Sequence, residues 1–336
     1  MTNFITHTME PWMPPGALKA KADYAAIAAA TGWKILPLER YNDGRFDSET
    51  RQQKIRSWLN MVNPGDQVIH QFPTYMSADF ELELITALSK HQAQSALLIH
   101  DIEPLRLIKT ASWEINVLNS YDTIIVHSQA MYDELKKLGV HVPAIIQPFF
   151  DYLGDVTKKA TFSHKINFAG TFQKSPWLKH YNGPKIELFG SRPKRWADVT
   201  FPSNINYREN FDPTSILDAF HDGFGLLWDS DFEDKTYQTY TRFNAPHKAS
   251  LYLRAGLPLI AWNQSAIGHL ILQYNLGFVI DSLSELERIS SISEKQYTNW
   301  QKNIIPLAKQ LENGYFTQQT PVSYTHLRAH ETCADL

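Results

Sequence analysis

Apolar and polar residues along the first half of the chain alternate in a pattern that predicts strands and helices in turn. Short apolar runs predict strands over residues 2–8, 33–38, 67–72, 95–101 and 121–127. Segments with helical spacing predict helices over residues 17–30, 49–60, 78–90 and 128–139. Strands that alternate with helices over short connections are typical of a parallel sheet covered by helices.

The second half of the chain repeats this pattern. Further strands are predicted over residues 165–170, 185–190, 224–228, 259–262 and 277–280. A chain of 336 residues is long for a single hydrophobic core. We therefore predict an α/β protein with two Rossmann-like doubly wound domains facing a cleft, over residues 1–155 and 156–295, joined by a linker with weak periodicity near residues 148–163.

The last helix of the chain has a continuous apolar face. Tyr297, Trp300, Ile304, Leu307 and Leu311 follow one another at spacings of three and four residues. The pattern Ser-Ile-Ser-Glu over 291–294 predicts a capping box, and a proline at 306 predicts a kink. We expect residues 296–316 to form a kinked helix that crosses back to the first domain.

The end of the sequence resembles translated sequencing-adapter DNA. The segment Val-Ser-Tyr-Thr-His-Leu-Arg-Ala-His-Glu-Thr over 322–332 carries this resemblance. We expect residues 322–336 to be non-native and leave them out of the fold prediction.

Composition excludes several classes of protein. The chain has 43% hydrophobic and 20% charged residues and a net charge of −3, which gives no overall attraction to nucleic acid. The single cysteine, Cys333, excludes an internal disulfide framework and a cysteine-based zinc site. No signal peptide and no membrane span of ~18 apolar residues is visible. We expect a cytoplasmic protein, with attachment to the inner face of the membrane left open.

The most informative stretch runs from Asn244 to Trp262. Pro246 suits the first turn of a helix, and Gly256 followed by a proline ends that helix before a short apolar strand. Lys248 and Ser250 then lie in the first turn, where unpaired N–H groups and the helix dipole attract an anion. The alternative is an ordinary amphipathic helix with a solvated lysine.

Residues that end the predicted strands are candidates for ligand binding. Doubly wound sheets bind ligands outside the carboxyl ends of their strands. In the first half Asp101 lies there and suits a general base, with a capping or structural role as the alternative. In the second half the candidates are Gly170 with Thr171, Arg192 and Asp229, of which Asp229 equally suits a helix cap.

Gly16 marks a second candidate anion site near the start of the chain. A glycine at a helix entry allows close approach of the backbone to a ligand, although the same residues also suit a simple Pro-Gly turn. Several familiar motifs are missing: the dinucleotide-binding Gly-x-Gly-x-x-Gly, the Walker loop, the Gly-x-Ser-x-Gly elbow and His-Glu-x-x-His. With no obvious Asp-x-Asp either, two such domains suggest a glycosyltransferase of the two-Rossmann type.

The chain resembles the bacterial glucosyltransferase 3-like proteins, which are often labelled β-1,6-galactofuranosyltransferases. The resemblance is carried by residues 16–23, 100–106, 126–131, 166–176 and 244–258. It covers about residues 10–316. It implies a GT-B fold, a UDP-sugar donor in the second domain, metal-independent transfer and no cofactor, since the UDP-sugar is a substrate.

The resemblance also implies a role in extracellular-polysaccharide or glycoprotein assembly and a homo-oligomer. By position, Asn244, His247 and Lys248 would face the donor diphosphate, and Lys248 would neutralise charge on the leaving UDP. Ser250, Arg192 and residues 170–174, which include Gly170, Thr171 and Lys174, would complete the donor site. Gly16 would close over the donor, and Asp101 would activate the acceptor hydroxyl.

The residues before the first predicted helix depart from the family pattern, since Trp-Met-Pro-Pro over 12–15 replaces a more polar loop. UDP-glucose and UDP-galactofuranose therefore both remain candidate donors, and a saccharide or glycoprotein remains the acceptor. Two other functions stay open: a non-catalytic GT-B partner or chaperone of another transferase, and a nucleotide-sugar epimerase of the same fold.

Overall fold

A computed structural model describes residues 1–13, 15–107, 111–170, 172–209, 211–229 and 236–320. These residues divide into two compact units: one comprises Met1–Pro148 and the segment from Phe316 onward, and the other comprises Phe149–Tyr315. Thr171 and the segment 322–336, both named in the sequence predictions, lie outside the described residues.

The first unit is a six-stranded parallel sheet with helices in its connections. Its strands are β1 (Asn3–Met9), β2 (Lys34–Glu39), β3 (Gln67–Phe72), β4 (Gln94–Ile99), β5 (Thr123–Val126) and β6 (Ala144–Ile146). Its helices are α1 (Pro15–Ala30), α2 (Ser48–Trp58), α3 (Ala78–Lys90), α4 (Glu103–Arg106), α5 (Trp113–Asn119) and α6 (Gln129–Lys137). The strand order β2-β1-β3-β4-β5-β6 reverses direction between β1 and β3.

The second unit is also built on a six-stranded parallel sheet. Its strands are β7 (Thr161–Ala169), β8 (Ile186–Phe189), β9 (Ile205–Tyr207), β10 (Asp222–Leu227), β11 (Leu259–Trp262) and β12 (Gly277–Ile280). Its helices are α7 (Ile216–Ala219), α8 (Thr236–Tyr240), α9 (His247–Arg254), α10 (Ala266–Tyr274) and α11 (Glu294–Glu312). The order β12-β11-β10-β7-β8-β9 places the reversal between β7 and β10.

The two parallel sheets confirm the predicted α/β fold. Every residue of the interior strand β3 is buried, as expected for a sheet covered on both faces. Among the described residues, the strands β6 and β9 were not predicted because each has only three residues, too few to show a period. At Ser128 the predicted cap is confirmed, since its hydroxyl accepts a hydrogen bond from the N–H of Met131 at 3.0 Å.

The apolar face predicted for the last helix is confirmed in α11. Tyr297, Trp300, Ile304 and Leu311 are buried there. The predicted cap is wrong by two residues, because Ser293, rather than Ser291, caps the helix by accepting a hydrogen bond from the N–H of Gln296 at 3.3 Å. The phenol of Tyr297 donates to the carbonyl oxygen of Gly223 at 3.0 Å, which ties α11 to the start of β10. Within the described ranges no helix is both long and apolar enough to cross a bilayer.

Candidate functional site

The carboxyl ends of β7 and β10 lie side by side where the strand order of the second sheet reverses. Gly170 follows β7, Asp229 follows β10 after Trp228, and helix α9 begins close by. The ammonium of Lys248 lies 3.1 Å from Asp229 Oδ1, and a Cβ added at Gly170 would lie 3.7 Å from the same ammonium. These three residues therefore form the centre of the candidate site, at the position where doubly wound sheets bind ligands.

Close packing fixes the start of α9 against the sheet. Tyr252 of α9 is completely buried, and its phenol oxygen accepts a hydrogen bond from the N–H of Ala169 at 2.7 Å. The ring lies so near β10 that a Cβ at Gly225 would be 2.3 Å from Tyr252 Cγ. Pro246 adopts an extended conformation and precedes the helix, which begins at His247, one residue later than the sequence predicted. Lys248 is still in the first turn, as expected.

Asp229 is an ionised carboxylate between two lysines. Burial favours its neutral form, but the nearby charges of Lys248 and Lys174 outweigh this effect and lower the pKa of Asp229 below its ordinary value. Lys248 also lies 5.4 Å from the ring centre of Phe168, and Lys174 lies 5.8 Å from that of Tyr237. Among the described residues, these two lysines against one carboxylate leave one positive charge in excess, which favours an anionic ligand.

A small pocket opens beside the ion pair. Its walls come from the end of β10 and from the starts of α9 and α10, and they comprise Leu227, Trp228, Asp229, Thr241, Pro246, Lys248, Ser265 and Ile267. The side-chain oxygen of Asn244 lies in the loop that leads into α9, where it is buried and accepts no hydrogen bond from the described residues. Asn244 thus retains a buried hydrogen-bond acceptor in the loop that leads into α9.

The other predicted donor-site residues of the second unit have different surroundings. Nε2 of His247 lies 3.0 Å from the carbonyl oxygen of Asp151, and its ring stacks on Tyr152 at 4.6 Å. Ser250 is buried within α9. The guanidinium of Arg192 lies 5.0 Å from each of two aromatic ring centres, those of Phe201 and Tyr207, and it donates to the carbonyl oxygen of Ala197. The structure thus gathers Lys248, Lys174 and Gly170 around Asp229, a residue that the sequence left undecided.

In the first unit, Asp101 lies just beyond β4 and is paired. Its Oδ2 forms an ion pair with Arg106 at 3.3 Å and accepts a hydrogen bond from the phenol of Tyr75 at 3.4 Å. The Asp101 side chain is 27% exposed, so it remains accessible to a ligand. Gly16 lies exposed in the first turn of α1.

Sequence reasoning missed a buried cation next to Asp101. Lys21 of α1 is 6% exposed, and its ammonium donates to the carbonyl oxygen of Pro73. Burial lowers the pKa of Lys21 to about 8, against the opposing effects of nearby carboxylates, first among them Glu10. Nothing in the Ala-rich pattern of α1 distinguishes this lysine from a solvated one, because its contacts come from β3, about 50 residues away in the chain.

The described residues contain no group of three or more His, Cys, Asp or Glu side chains placed to hold a metal ion. The positive charge of the candidate site comes from its lysines.

Each of the two units matches a family model. The model described as "Glucosyltransferase 3-like, N-terminal domain" matches residues 2–149, and "Glucosyltransferase 3-like, C-terminal domain" matches residues 166–323. The chain is similar to "Glucosyltransferase 3" of Streptococcus gordonii, with 28% identity over 314 residues, 90% of this chain and 92% of that protein. It is also similar to "Beta-1,6-galactofuranosyltransferase WbbI" of Escherichia coli (strain K12), with 28% identity over 78% of this chain and 80% of that protein.

Solved structures share the fold at low identity. A sucrose-phosphate synthase from Thermosynechococcus elongatus matches with a TM-score of 0.67 and 10% identity, covering 98% of this chain and 100% of that one. HepE from Anabaena, solved in complex with UDP, matches with a TM-score of 0.61 and 10% identity over 97% of this chain and 100% of that one. These similarities confirm the predicted GT-B fold.

Proposed function

The chain belongs to the glucosyltransferase 3-like family, and from this premise we propose that it transfers a hexose from a UDP-sugar to a saccharide acceptor. Family membership confirms the prediction that the protein is a glycosyltransferase. The relatives are named for glucosyl and galactofuranosyl transfer, and several structures of the same fold were solved with UDP. These names support a UDP-linked hexose as the donor.

The ion pair between Lys248 and Asp229 is the observation that carries the assignment of the donor diphosphate to the second unit. Lys248 lies in the first turn of α9, at the carboxyl edge of the sheet, with one net positive charge around it. In the proposed reaction the diphosphate binds this ammonium, and Lys248 stabilises the negative charge that develops on the leaving UDP. Lys174 and Gly170 complete the diphosphate site, and the buried oxygen of Asn244 accepts a hydrogen bond from a hydroxyl or N–H of the UDP-sugar.

Metal independence is part of this proposal. A divalent cation commonly neutralises the leaving diphosphate in phosphate chemistry, and here Lys248 and Lys174 supply positive charge at the equivalent place. Asp101 is proposed to bind the acceptor hydroxyl in the first unit. The cytoplasmic location, a homo-oligomeric state and a role in polysaccharide or glycoprotein assembly remain predictions from the sequence.

Calorimetric titration of UDP tests the proposed donor site. Lys248→Ala should weaken UDP binding by about 1.5–3 kcal/mol, roughly 10- to 150-fold, because a charge-assisted phosphate contact is lost. The double variant Lys248→Ala with Asp229→Asn separates loss of the cation from repulsion by a carboxylate left without Lys248. The protein offers a matched control in Lys165→Ala, since Lys165 pairs at 2.8 Å with Asp222, which begins β10, the strand that ends just before Asp229.

Lys165→Ala should leave the UDP affinity within about twofold of the parent. Unchanged UDP binding in Lys248→Ala, or equal losses in both lysine variants, would contradict the assignment. Product analysis with UDP-glucose and UDP-galactofuranose then identifies the sugar that is transferred.

A further inference from the structure

We propose that Tyr75 determines acceptor specificity and that the subsite around it takes an uncharged sugar ring. This inference rests on the proposed transferase function, because it concerns the acceptor of the same reaction. Tyr75 follows β3 in the chain and lies at the carboxyl edge of the first sheet. The strand order of this sheet reverses between β1 and β3. It is 43% exposed, although it is one of the larger apolar groups of the unit.

The backbone at Tyr75 is held in an unfavourable conformation. Its φ of 61° lies in the left-handed region, which is uncommon for any residue with a side chain and costs of order 1 kcal/mol. Such conformations persist where the surroundings enforce them, and they concentrate at binding sites. Here the conformation directs a large aromatic group to the surface rather than into the core.

A buried polar network enforces this conformation from the residue before Tyr75. Glu81 is completely buried, and its Oε1 accepts from the backbone N–H of Thr74 at 2.9 Å and from the Thr74 hydroxyl at 2.6 Å. Its other oxygen lies 3.0 Å from Nε2 of His70, whose Nδ1 lies 3.0 Å from the hydroxyl of Thr6. Burial alone would raise the pKa of Glu81, but His70 and Thr74 outweigh it and lower the pKa.

On the other side of Tyr75 the chain is fixed by Asp43. Its carboxylate accepts from the backbone N–H of Ser77 at 3.0 Å and from the Ser77 hydroxyl. The segment between Thr74 and Ser77 is therefore anchored at both ends by buried carboxylates. Anchors of this kind keep the ring in place before any ligand arrives, which reduces the entropy lost on binding.

The charged groups around Tyr75 balance one another. Arg40 pairs with Glu10, and Arg106 pairs with Asp101 and with Glu103. With Lys21, the groups that contact the Tyr75 side chain and their ion-pair partners comprise three cations and three carboxylates, and the buried carboxylates of Glu81 and Asp43 beside this segment add no positive charge. An anionic acceptor would have to break an existing ion pair, whereas the hydroxyls of a neutral sugar can form hydrogen bonds without displacing a charged group.

The side chain of Tyr75 contacts three of these charged groups. Its phenol donates to Asp101, the ammonium of Lys21 lies 5.0 Å from its ring centre, and the guanidinium of Arg40 lies 5.5 Å from it. An exposed aromatic ring surrounded by hydrogen-bonding groups provides an apolar surface for the C–H groups of a sugar and polar partners for its hydroxyls. This combination gives the subsite its preference for neutral carbohydrate.

Saturation-transfer NMR on the full-length protein saturated with UDP tests the proposal. The probes are methyl β-D-glucopyranoside and its charged counterpart, methyl β-D-glucuronide. We expect the neutral glycoside to bind at least threefold more tightly than the glucuronide. Tyr75→Ala should weaken the neutral glycoside at least tenfold, and Tyr75→Phe, which keeps the ring, should weaken it less than threefold.

Two controls separate this subsite from folding and from the donor site. Tyr274→Ala removes a tyrosine of similar exposure, 49%, from the end of α10 and should leave glycoside binding unchanged. The UDP affinity of both Tyr75 variants should stay within twofold of the parent, and their circular dichroism spectra should match that of the parent, which reports that both units are folded. Equal or tighter binding of the glucuronide, or unchanged glycoside binding in Tyr75→Ala, overturns the inference. Loss of UDP binding by the parent protein would instead overturn the proposed function.

Discussion

At the scale of single residues, the two lysines that matter most are held in opposite electrostatic settings. Lys248 lies 3.1 Å from the ionised carboxylate of Asp229. Lys21 is enclosed by protein and bound to the carbonyl oxygen of Pro73, and burial dominates its titration. A lysine that is costly to charge in the folded protein links the stability of the first unit to pH.

The pH dependence of unfolding should reveal the burial of Lys21. The folded protein releases the Lys21 proton near a pKa of about 8, whereas the unfolded chain keeps it until about 10.5. Since the unfolded state binds more protons in this range, stability should rise with pH from about 8 to 10 through this residue. Relative to Lys21→Met, the free energy of unfolding should rise by about 1–3 kcal/mol.

Urea denaturation of both proteins at pH 7 and pH 9.5 measures this difference. Lys19→Met serves as a control, because Lys19 belongs to the same helix but pairs with Asp23 at 2.6 Å. A difference between parent and Lys21→Met that stays constant over this pH range would show that Lys21 is not buried as described.

Residue types alone predicted one of these lysines and not the other. Lys248 could be identified because Pro246 and Gly256 mark the ends of its helix, and the strand after it fixes which edge of the sheet it occupies. Asp229 was only one of several residues that end a strand, since an ion pair between residues 19 positions apart has no local signal. Tyr75 could not be identified either, because its role depends on Glu81 and Asp43, which approach it from other elements.

At the scale of elements, helix α9 depends on a residue that lacks a side chain. Gly225 of β10 leaves room for the ring of Tyr252, and this close approach brings the phenol to the N–H of Ala169 at the end of β7. Helix and strand are thereby fixed together where Lys248 and Gly170 meet. Sequence periodicity predicted the helix and the strand, but the requirement for glycine arises only from their contact.

Gly225→Ala should disturb this contact. The added Cβ would lie 2.3 Å from Tyr252 Cγ, so the helix has to move away from the sheet, at a cost of about 1–3 kcal/mol in the free energy of unfolding. Denaturant titration measures the loss, and UDP calorimetry should show weaker binding in the same variant. In Gly44→Ala, the control, the new Cβ lies 3.7 Å from Asn42 Oδ1, an ordinary contact. Equal stability in the two variants would contradict the packing described.

At the scale of the whole molecule, the two units share a design but differ in the chemistry at their carboxyl edges. The second unit carries a net positive charge around Asp229, and the first carries a balanced set of charges around Tyr75. Alternation of strands and helices in the sequence was sufficient to predict both sheets. It could not predict this difference, because Lys21, Arg40 and Glu10 become a cluster only through the fold.

Hydrogen exchange on the intact protein should distinguish the units. UDP at 100 times its Kd stabilises the unit that binds it by about 2.7 kcal/mol. Exchange should therefore slow most in α9 and at the ends of β7 and β10, and less in the strands of the first unit. Equal protection in both units, or protection confined to the first, would contradict the assignment of UDP to the second unit.

The ion pair at Lys248 has a consequence for selectivity against small anions. Without a donor, Asp229 already serves as the internal counter-ion of this ammonium. Donor binding is then an ion exchange, in which an incoming anion competes with a carboxylate held at an effective concentration far above that of any free solute. Chloride or a single inorganic phosphate forms few contacts with which to displace Asp229 from Lys248. A nucleoside diphosphate has many, so the ion pair favours nucleotide ligands over small anions.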